Sequence, residues 1–391
     1  MTKKAKSGNI RAMSNTTDIK QLNISTILST LHREKELTKT EIAKRINLSS
    51  VTAHNLINEL KTKGVVIETG DFLHGGGRKA TKYKLNKDYA LSIGMHFYRY
   101  ALEISVCDLS LDLVYEKKVE WDMHDLDLCL KTLKEELLCV TSAFNDKKFL
   151  GVGVSIPGRA DKDGVIIELP DRKNWNGINL KQEIESATGL IARIDNDVNA
   201  EAISVKWSGV FDECENFAYL CADDGTGASV VINGQIFHGF NHFGPEIGHI
   251  TAVKGGRICE CGKKGCLQAY TSTLAVIEWF KSLGFSDANV KLISQLYSAQ
   301  DKDAVKVIGK VCEYLALGIE YLIRAFDPEK IIVQSSILEN DPVIFEEVIF
   351  NVCKGLYPRK NFAKIVISKK NEKISKCASC CLVLNDFYSA C

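Results

Sequence analysis

Gly244-Pro245-Glu246-Ile247-Gly248-His249, followed by Cys259-Glu260-Cys261-Gly262-Lys263-Lys264-Gly265-Cys266-Leu267, is the stretch on which the reading of this chain turns. Cys259, Cys261 and Cys266 cluster at a spacing that suits a metal ion, and His249 lies just upstream. Three thiolates and one imidazole make a closed tetrahedral shell, the donor set of a structural zinc rather than a catalytic one. The C-x-C step is tighter than a zinc-finger knuckle, so a reduced cysteine-rich loop stays open as the other reading. The chain has 14 cysteines in all. Cys107, Cys139 and Cys312 sit among apolar residues and read as small core side chains. Cys377, Cys380, Cys381 and Cys391 include a C-x-x-C but have no second ligand pair nearby, and they too read as packing.

Upstream, Leu91–Phe97 alternates, Tyr100–Val106 and Leu111–Val114 are further short strands, and a helix is expected over Leu126–Ala143. Phe149 to Gly158 is a buried strand that breaks into a Gly-Pro turn. Strand alternating with helix predicts an α/β fold, with ligands in a crevice at the strand ends. Five motifs then follow in fixed order: Ser155-Ile156-Pro157-Gly158-Arg159, Asp195-Asn196-Asp197-Val198-Asn199-Ala200, Gly225-Thr226-Gly227, and the glutamate–histidine and cysteine stretches quoted above. Together they resemble the ROK family, named for repressors, open reading frames and kinases. That resemblance spans roughly residues 20–390. It implies a two-lobed body of actin-like ATPase, sugar-kinase type behind a winged helix-turn-helix.

The resemblance also implies site residues. Asn196 and Asp197 match the family's sugar-binding pair, and Asp197 the general base of its kinases. Glu246 and His249 match further sugar contacts, His249 doubling as a zinc ligand with Cys259, Cys261 and Cys266. Gly158 and Arg159 match a loop that lines the sugar in some members of the family. A carboxylate beside an amide can grip adjacent hydroxyls. In a kinase the same carboxylate would take the hydroxyl proton. Gln268 stands where kinases and many repressors carry glutamate, which keeps a hydrogen-bonding group and removes its charge.

Phosphoryl transfer needs phosphates cradled by backbone N–H groups and glycines. The family's kinases carry Asp-x-Gly-Gly-Thr where this chain has Gly94-Met95-His96-Phe97-Tyr98-Arg99. Gly225–Val230 is poorer in glycine than the second phosphate loop. Gln334-Ser335-Ser336 stands in place of a glycine cluster at the adenosine. Three departures at three nucleotide contacts predict lost ATP binding beside a kept sugar grip.

At the front, Ile19, Leu22, Ile24, Ile27, Leu28 and Leu31 recur at helical spacing. Thr38 with Glu41 forms a capping box that opens a second helix burying Ile42, Ala43 and Ile46. Asn47–Ser50 is a short turn, with Ser50 as cap of a third helix ending near Lys63. Ala53, Leu56, Ile57 and Leu60 form its inner face, leaving Ser50, Thr52, His54, Asn55 and Asn58 outside. Val65–Ile67 and Tyr83–Leu85 are wing strands flanking Gly75-Gly76-Gly77-Arg78-Lys79. This pattern resembles the winged helix-turn-helix, whose second helix enters the major groove. Its small polar face suits base edges and phosphates, and Arg78 and Lys79 suit a minor groove. A protein-interaction module with an exposed polar helix is the alternative.

Charge favours DNA. Residues 1–84 carry 16 Lys and Arg against 7 Asp and Glu, a balance of +9, while the remainder carries −8 within a net charge of +1. No apolar run reaches 18 residues, and Met1–Ile10 has lysines with no apolar stretch behind them, so neither a membrane span nor a signal peptide is expected and the cytoplasm is the default. The expected organisation is a disordered basic arm over 1–16, a winged helix-turn-helix over 17–86, and a two-lobed sugar-sensing body over 87–391 with its zinc loop near 249–266. The expected function is a non-enzymatic, sugar-responsive transcription regulator, read as a repressor, binding operator DNA as a homodimer or higher oligomer with a structural Zn2+. An ATP-dependent sugar kinase with a DNA-binding appendage, and a regulator that senses a partner protein, are the competing readings.

Overall fold

The computed structural model describes residues 16–72, 80–170, 172–208, 214–356, 362–368 and 372–390. The chain opens with α1 (Thr16–Glu34), β1 (Glu36–Thr38), α2 (Lys39–Arg45), α3 (Ser50–Thr62), β2 (Val66–Phe72) and β3 (Ala80–Leu85). The capping box forms as read: the Glu41 N–H donates to Thr38 Oγ1 at 3.2 Å, and Thr38 N–H to Glu41 Oε2 at 2.8 Å. The cap of α3 is one residue earlier than expected, because Ser49 takes the extended backbone and accepts from the Thr52 N–H, leaving Ser50 as the first helical residue. Ile24, Ile27, Leu28 and Leu31 are buried as spaced, whereas Ile19 and Leu22 lie exposed on the first turns of α1. The wing has a third strand that periodicity missed: β1, only three residues long, pairs antiparallel with β3. The proposed basic arm falls outside the described residues up to Asn15, as do Arg78 and Lys79.

The first lobe of the body comprises β4 (Leu91–Tyr98), β5 (Ala101–Cys107), β6 (Leu113–Glu120), α4 (Leu126–Ala143), β7 (Phe149–Ile156), the small ribbon β8 (Arg159–Ala160) and β9 (Ile166–Glu168), α5 (Leu180–Thr188), β10 (Ala192–Asn196) and α6 (Asp197–Trp207). Its sheet runs β10-β7-β4-β5-β6, with β10, β7 and β4 parallel and the rest antiparallel. The second lobe repeats that plan. β11 (Phe217–Ala222), β12 (Thr226–Ile232), β13 (Gln235–Ile236), α7 (Gln268–Thr271), α8 (Thr273–Ser282), α9 (Val290–Ser298), α10 (Lys302–Phe326), β14 (Lys330–Gln334), α11 (Ser336–Asn340), α12 (Pro342–Gly355) and β15 (Lys364–Ile367) give the order β13-β12-β11-β14-β15. The last helix, α13 (Glu372–Ala390), returns to the first lobe.

Close approach fixes how α13 lies on that sheet. A Cβ on Gly153 would stand 1.9 Å from the Ser379 carbonyl oxygen, and one on Gly94 would stand 2.8 Å from the Cys380 nitrogen. Cys377, Cys380 and Cys381 are buried there as small packing residues. The winged-helix core is continuous with the body: Ile27, Leu28, Ile42, Ile57 and Leu60 share one cluster with Leu109, with Ala200, Ile203 and Trp207 of α6, and with Cys381, Leu384 and Tyr388 of α13.

Candidate functional site

The expected metal ligands converge. His249, Cys259, Cys261 and Cys266 place their ligand atoms within 4.8 Å of one another. Cys259 Sγ lies 3.7 Å from His249 Nδ1, and Cys261 Sγ 3.6 Å from Cys266 Sγ. Bonds of about 2.0–2.3 Å to a tetrahedral zinc demand edges of roughly 3.3–3.8 Å between ligands, which these two distances meet, and the chemistry of the set, three thiols and one imidazole, suits the ion. Burial pushes the Cys259 thiol up to about 12, and a bound divalent cation would be what holds such a sulfur as thiolate. The loop between the ligands turns at Gly262 and is pinned by bridges Ile258–Lys264 and Thr251–Cys266.

The same loop reaches the interlobe cleft. His249 Nε2 lies 3.9 Å from Glu246 Oε2, and Glu246 Oε1 lies 3.9 Å from Arg159 Nε. Arg159 also pairs with Glu168 and stacks on Phe243, its guanidinium carbon 3.7 Å from the ring centroid. Arg159, Glu246 and His249 therefore form one chain of contacts across the lobes. Gly248 sits where its turn meets the β11–β12 hairpin, and a Cβ there would stand 1.8 Å from the Thr226 carbonyl oxygen. Gly248→Ala is expected to displace the motif from the hairpin and destabilise the protein by about 1–3 kcal/mol, measured by chemical denaturation.

On the first-lobe side, β10 pairs with β7 so that Asn196 stands opposite Ile156. This register brings Asn196 Nδ2 within 3.0 Å of the Gly158 carbonyl. Asn196 Oδ1 accepts the Val198 N–H at 2.9 Å and caps α6. Much of this amide is thus committed to building the corner rather than held open for a ligand. Asp197 opens α6, and burial raises its carboxyl to about 6. Gln268 is drawn aside: its Oε1 accepts the Thr226 N–H at 3.3 Å, and its Nε2 faces Glu260 at 3.5 Å.

On α3, Ser50, His54 and Asn55 are exposed, while Thr52 and Asn58 are half-buried. Thr52 shares its hydroxyl with Ser49 at 2.8 Å. Lys39 Nζ donates to Asn58 Oδ1 at 2.6 Å and lies 3.3 Å from His54 Nδ1, so a lysine of α2 joins this face. Val51, 72% exposed, was overlooked. It stands on the outward stripe with Asn55 and Asn58, and an apolar contact of this kind suits a thymine methyl. His238 and Phe243 of the cleft were also missed, since neither belongs to a spaced motif.

Comparison with known proteins agrees with this geometry. The ROK family model matches residues 92–378, and a winged helix-turn-helix DNA-binding model matches residues 23–67. The xylose repressor of Caldicellulosiruptor bescii is 26% identical over 96% of this chain and 99% of its own length. The DNA-binding transcriptional dual regulator NagC of Escherichia coli is 26% identical over 84% of each chain. Among solved structures, a ROK family transcriptional regulator described as a homologue of the E. coli MLC protein has a TM-score of 0.77 at 22% identity, over 95% of this chain and 98% of that one. A ROK family glucokinase from Streptomyces griseus, solved with glucose and AMPPNP, has a TM-score of 0.61 at 20% identity, over 74% and 98%. The chain belongs to the ROK family and carries a winged helix-turn-helix module ahead of its two-lobed body.

Proposed function

We propose that the chain is a sugar-responsive DNA-binding transcription regulator, acting as a repressor, and that it binds operator DNA as a homodimer. One observation carries this reading: the winged helix shares a continuous core with α6, the helix that begins at the sugar pair Asn196–Asp197 and ends at Trp207. A ligand held at the start of α6 therefore bears directly on the packing of the DNA module. The proposed sugar contacts are Gly158, Arg159, Asn196, Asp197, Glu246, His249 and Gln268, with Asn196 offering only the remainder of its amide and Gln268 turning from Thr226 and Glu260 to engage. The proposed zinc ligands are His249, Cys259, Cys261 and Cys266; the proposed DNA face is Ser50, Thr52, His54, Asn55 and Asn58, with Arg78 and Lys79. The relatives named for xylose and related regulators make a neutral monosaccharide the first ligand class to test. Among the described residues, no helix is long and apolar enough to cross a membrane.

Anisotropy titration of the DNA upstream of the chain's own gene, with and without D-xylose, D-glucose and N-acetyl-D-glucosamine, tests the reading. Binding that weakens with one sugar is expected; absence of DNA binding at low salt would overturn it. A bound sugar at 100 times its Kd adds about 2.7 kcal/mol of stability, which a thermal-shift panel reads as a raised midpoint.

One observation favours the kinase reading: the half-buried Asp197, whose carboxyl desolvation raises to about 6. Against it, Gln334 fills the end of β14, donating from Nε2 to Asp223 Oδ2 at 2.7 Å and accepting from Tyr219 Oη at 3.2 Å. No sugar-dependent ADP release is expected; turnover abolished by Asp197→Asn would instead make the chain an enzyme. That variant has a further signature. Because the folded carboxyl is raised, ionising it costs stability as pH climbs from the unfolded value near 4 to about 6, and the cost is complete above that. Asp197→Asn removes the cost, so the ligand-free variant is expected to gain about 1–2 kcal/mol at pH 7–8 and nothing at pH 4, by denaturant titration.

A further inference from the structure

We propose that His238 is a positioning residue of the sugar corner, reaching across the interlobe cleft to hold Asp195 and, through it, the turn that presents Asn196 and Asp197. This rests on the sugar reading of that corner. Asp195 is the penultimate residue of β10 in the first lobe, whereas His238 lies just beyond β13 at the edge of the second-lobe sheet. His238 Nε2 donates to Asp195 Oδ2 at 2.8 Å. The other carboxylate oxygen accepts the Asn196 N–H and the Asn199 Nδ2, each at 2.7 Å. Asp195 is thus the hub of the first turn of α6. Two of its donors come from that turn, and the third comes from the opposite lobe.

The far end of the tie is itself held. The His238 carbonyl accepts the Gly244 N–H at 2.9 Å, closing the loop that runs directly into Glu246 and His249. His242, with a left-handed φ of 56°, lays its ring 5.0 Å from that of His238. Asp195 in turn holds the His238 imidazole above its ordinary value, through their hydrogen bond. This charge-assisted bond, beside the longer Arg159–Glu246 contact at 3.9 Å, ties the two walls of the cleft together, Asn196–Asp197 on one side and Glu246–His249 on the other. Arg159, already bonded to Glu168 and stacked on Phe243, lines the same gap but leaves Asp195 untouched.

Hydrogen exchange read by mass spectrometry on the full chain, without sugar, tests the tie directly. His238→Ala is expected to speed exchange in peptides covering residues 193–203 and 237–249, with α3 and α10 unchanged. His238→Gln keeps an Nε2 donor at similar reach and is expected to restore protection. Calorimetry with whichever of D-xylose, D-glucose or N-acetyl-D-glucosamine stabilises the wild type should show binding about 10- to 100-fold weaker in His238→Ala, the size expected for one bond to a charged group, and near wild-type in His238→Gln. Wild-type exchange in His238→Ala, or no difference between alanine and glutamine, would overturn the proposal. If none of these sugars binds the wild type, the sugar reading fails, while the exchange data still decide whether His238 ties the lobes.

Discussion

Cys266→Ser is expected to release the metal from the 249–266 loop and to unfold that loop while the rest of the body stays folded. The loop has almost no apolar core of its own. Its fully buried cluster is Cys259, Cys266, Ala269 and Tyr270, and two of those four are ligands. Its remaining order rests on isolated bridges and tight glycine turns, which cannot offset the entropy of ordering a long irregular segment. Metal binding would supply that free energy, as in small zinc modules whose fold and metal come together. Losing a residue that merely supports a ligand costs 10–100-fold in metal affinity, so losing a ligand should cost more than about 100-fold. Elemental analysis of purified protein should find about one zinc per wild-type chain and little in the variant. The consequence reaches the cleft, because His249 is both donor and neighbour of Glu246. Sugar-induced thermal stabilisation should vanish in Cys266→Ser and in chelator-treated wild type, and return when zinc is restored to the latter. A wild-type protein without zinc, or a variant that keeps sugar stabilisation, would remove the metal from the account.

Trp207→Ala is the second change with a large expected effect. Trp207 closes α6, and its carbonyl, one of the acceptors a helix end leaves without an intrahelical partner, accepts from His32 Nε2 of α1 at 2.7 Å. Its indole packs at 4.8 Å from the Tyr388 ring of α13 and donates from Nε1 to Asn385 Oδ1 at 3.2 Å. His32 completes the junction edge-on to both rings. Truncating a buried tryptophan costs about 3–5 kcal/mol, and here the cavity opens between the DNA module and the body. Exchange protection in α1 should fall first. Sugar binding and weak DNA binding should both persist, while the effect of sugar on DNA affinity, typically 5–150-fold in coupled systems, is lost. His32→Phe is the finer probe. It keeps the ring and strands the Trp207 carbonyl, at a cost of about 1–3 kcal/mol. If sugar still shifts DNA affinity in both variants, the signal does not pass through this junction.

Much of the chemistry was written locally. The capping box and the inner face of α3 lie close together in sequence, so spacing alone placed them; the four candidate metal donors also lie close, and there spacing was joined by the family resemblance. The Asn196–Asp197 corner was recognisable as a motif, yet its residues turned out to bond in ways no motif states: Asn196 spends its amide on Gly158 and the cap of α6, and Gln268 turns towards Thr226 and Glu260. Ser49 rather than Ser50 caps α3 because the choice between adjacent serines depends on backbone dihedrals, not on residue type. β1 was invisible because three residues carry no periodicity; only β3 makes them a strand.

What the sequence by itself determined was the α/β pattern, the winged-helix module and a set of four candidate metal donors, read from side chains within about one turn of helix or one tight loop and, for the two-lobed body, from the resemblance to the ROK family. Only the tertiary structure decided what those parts do to one another. The tie from His238 to Asp195 spans 43 positions, the bond from His32 to Trp207 spans 175, and the His32–Tyr388 contact spans 356. Contacts of that range leave no periodic trace along the chain. The two His32 contacts exist because glycines at 94 and 153 let α13 lie flat on the first-lobe sheet, and because that helix then offers a surface on which α1 and α6 pack together.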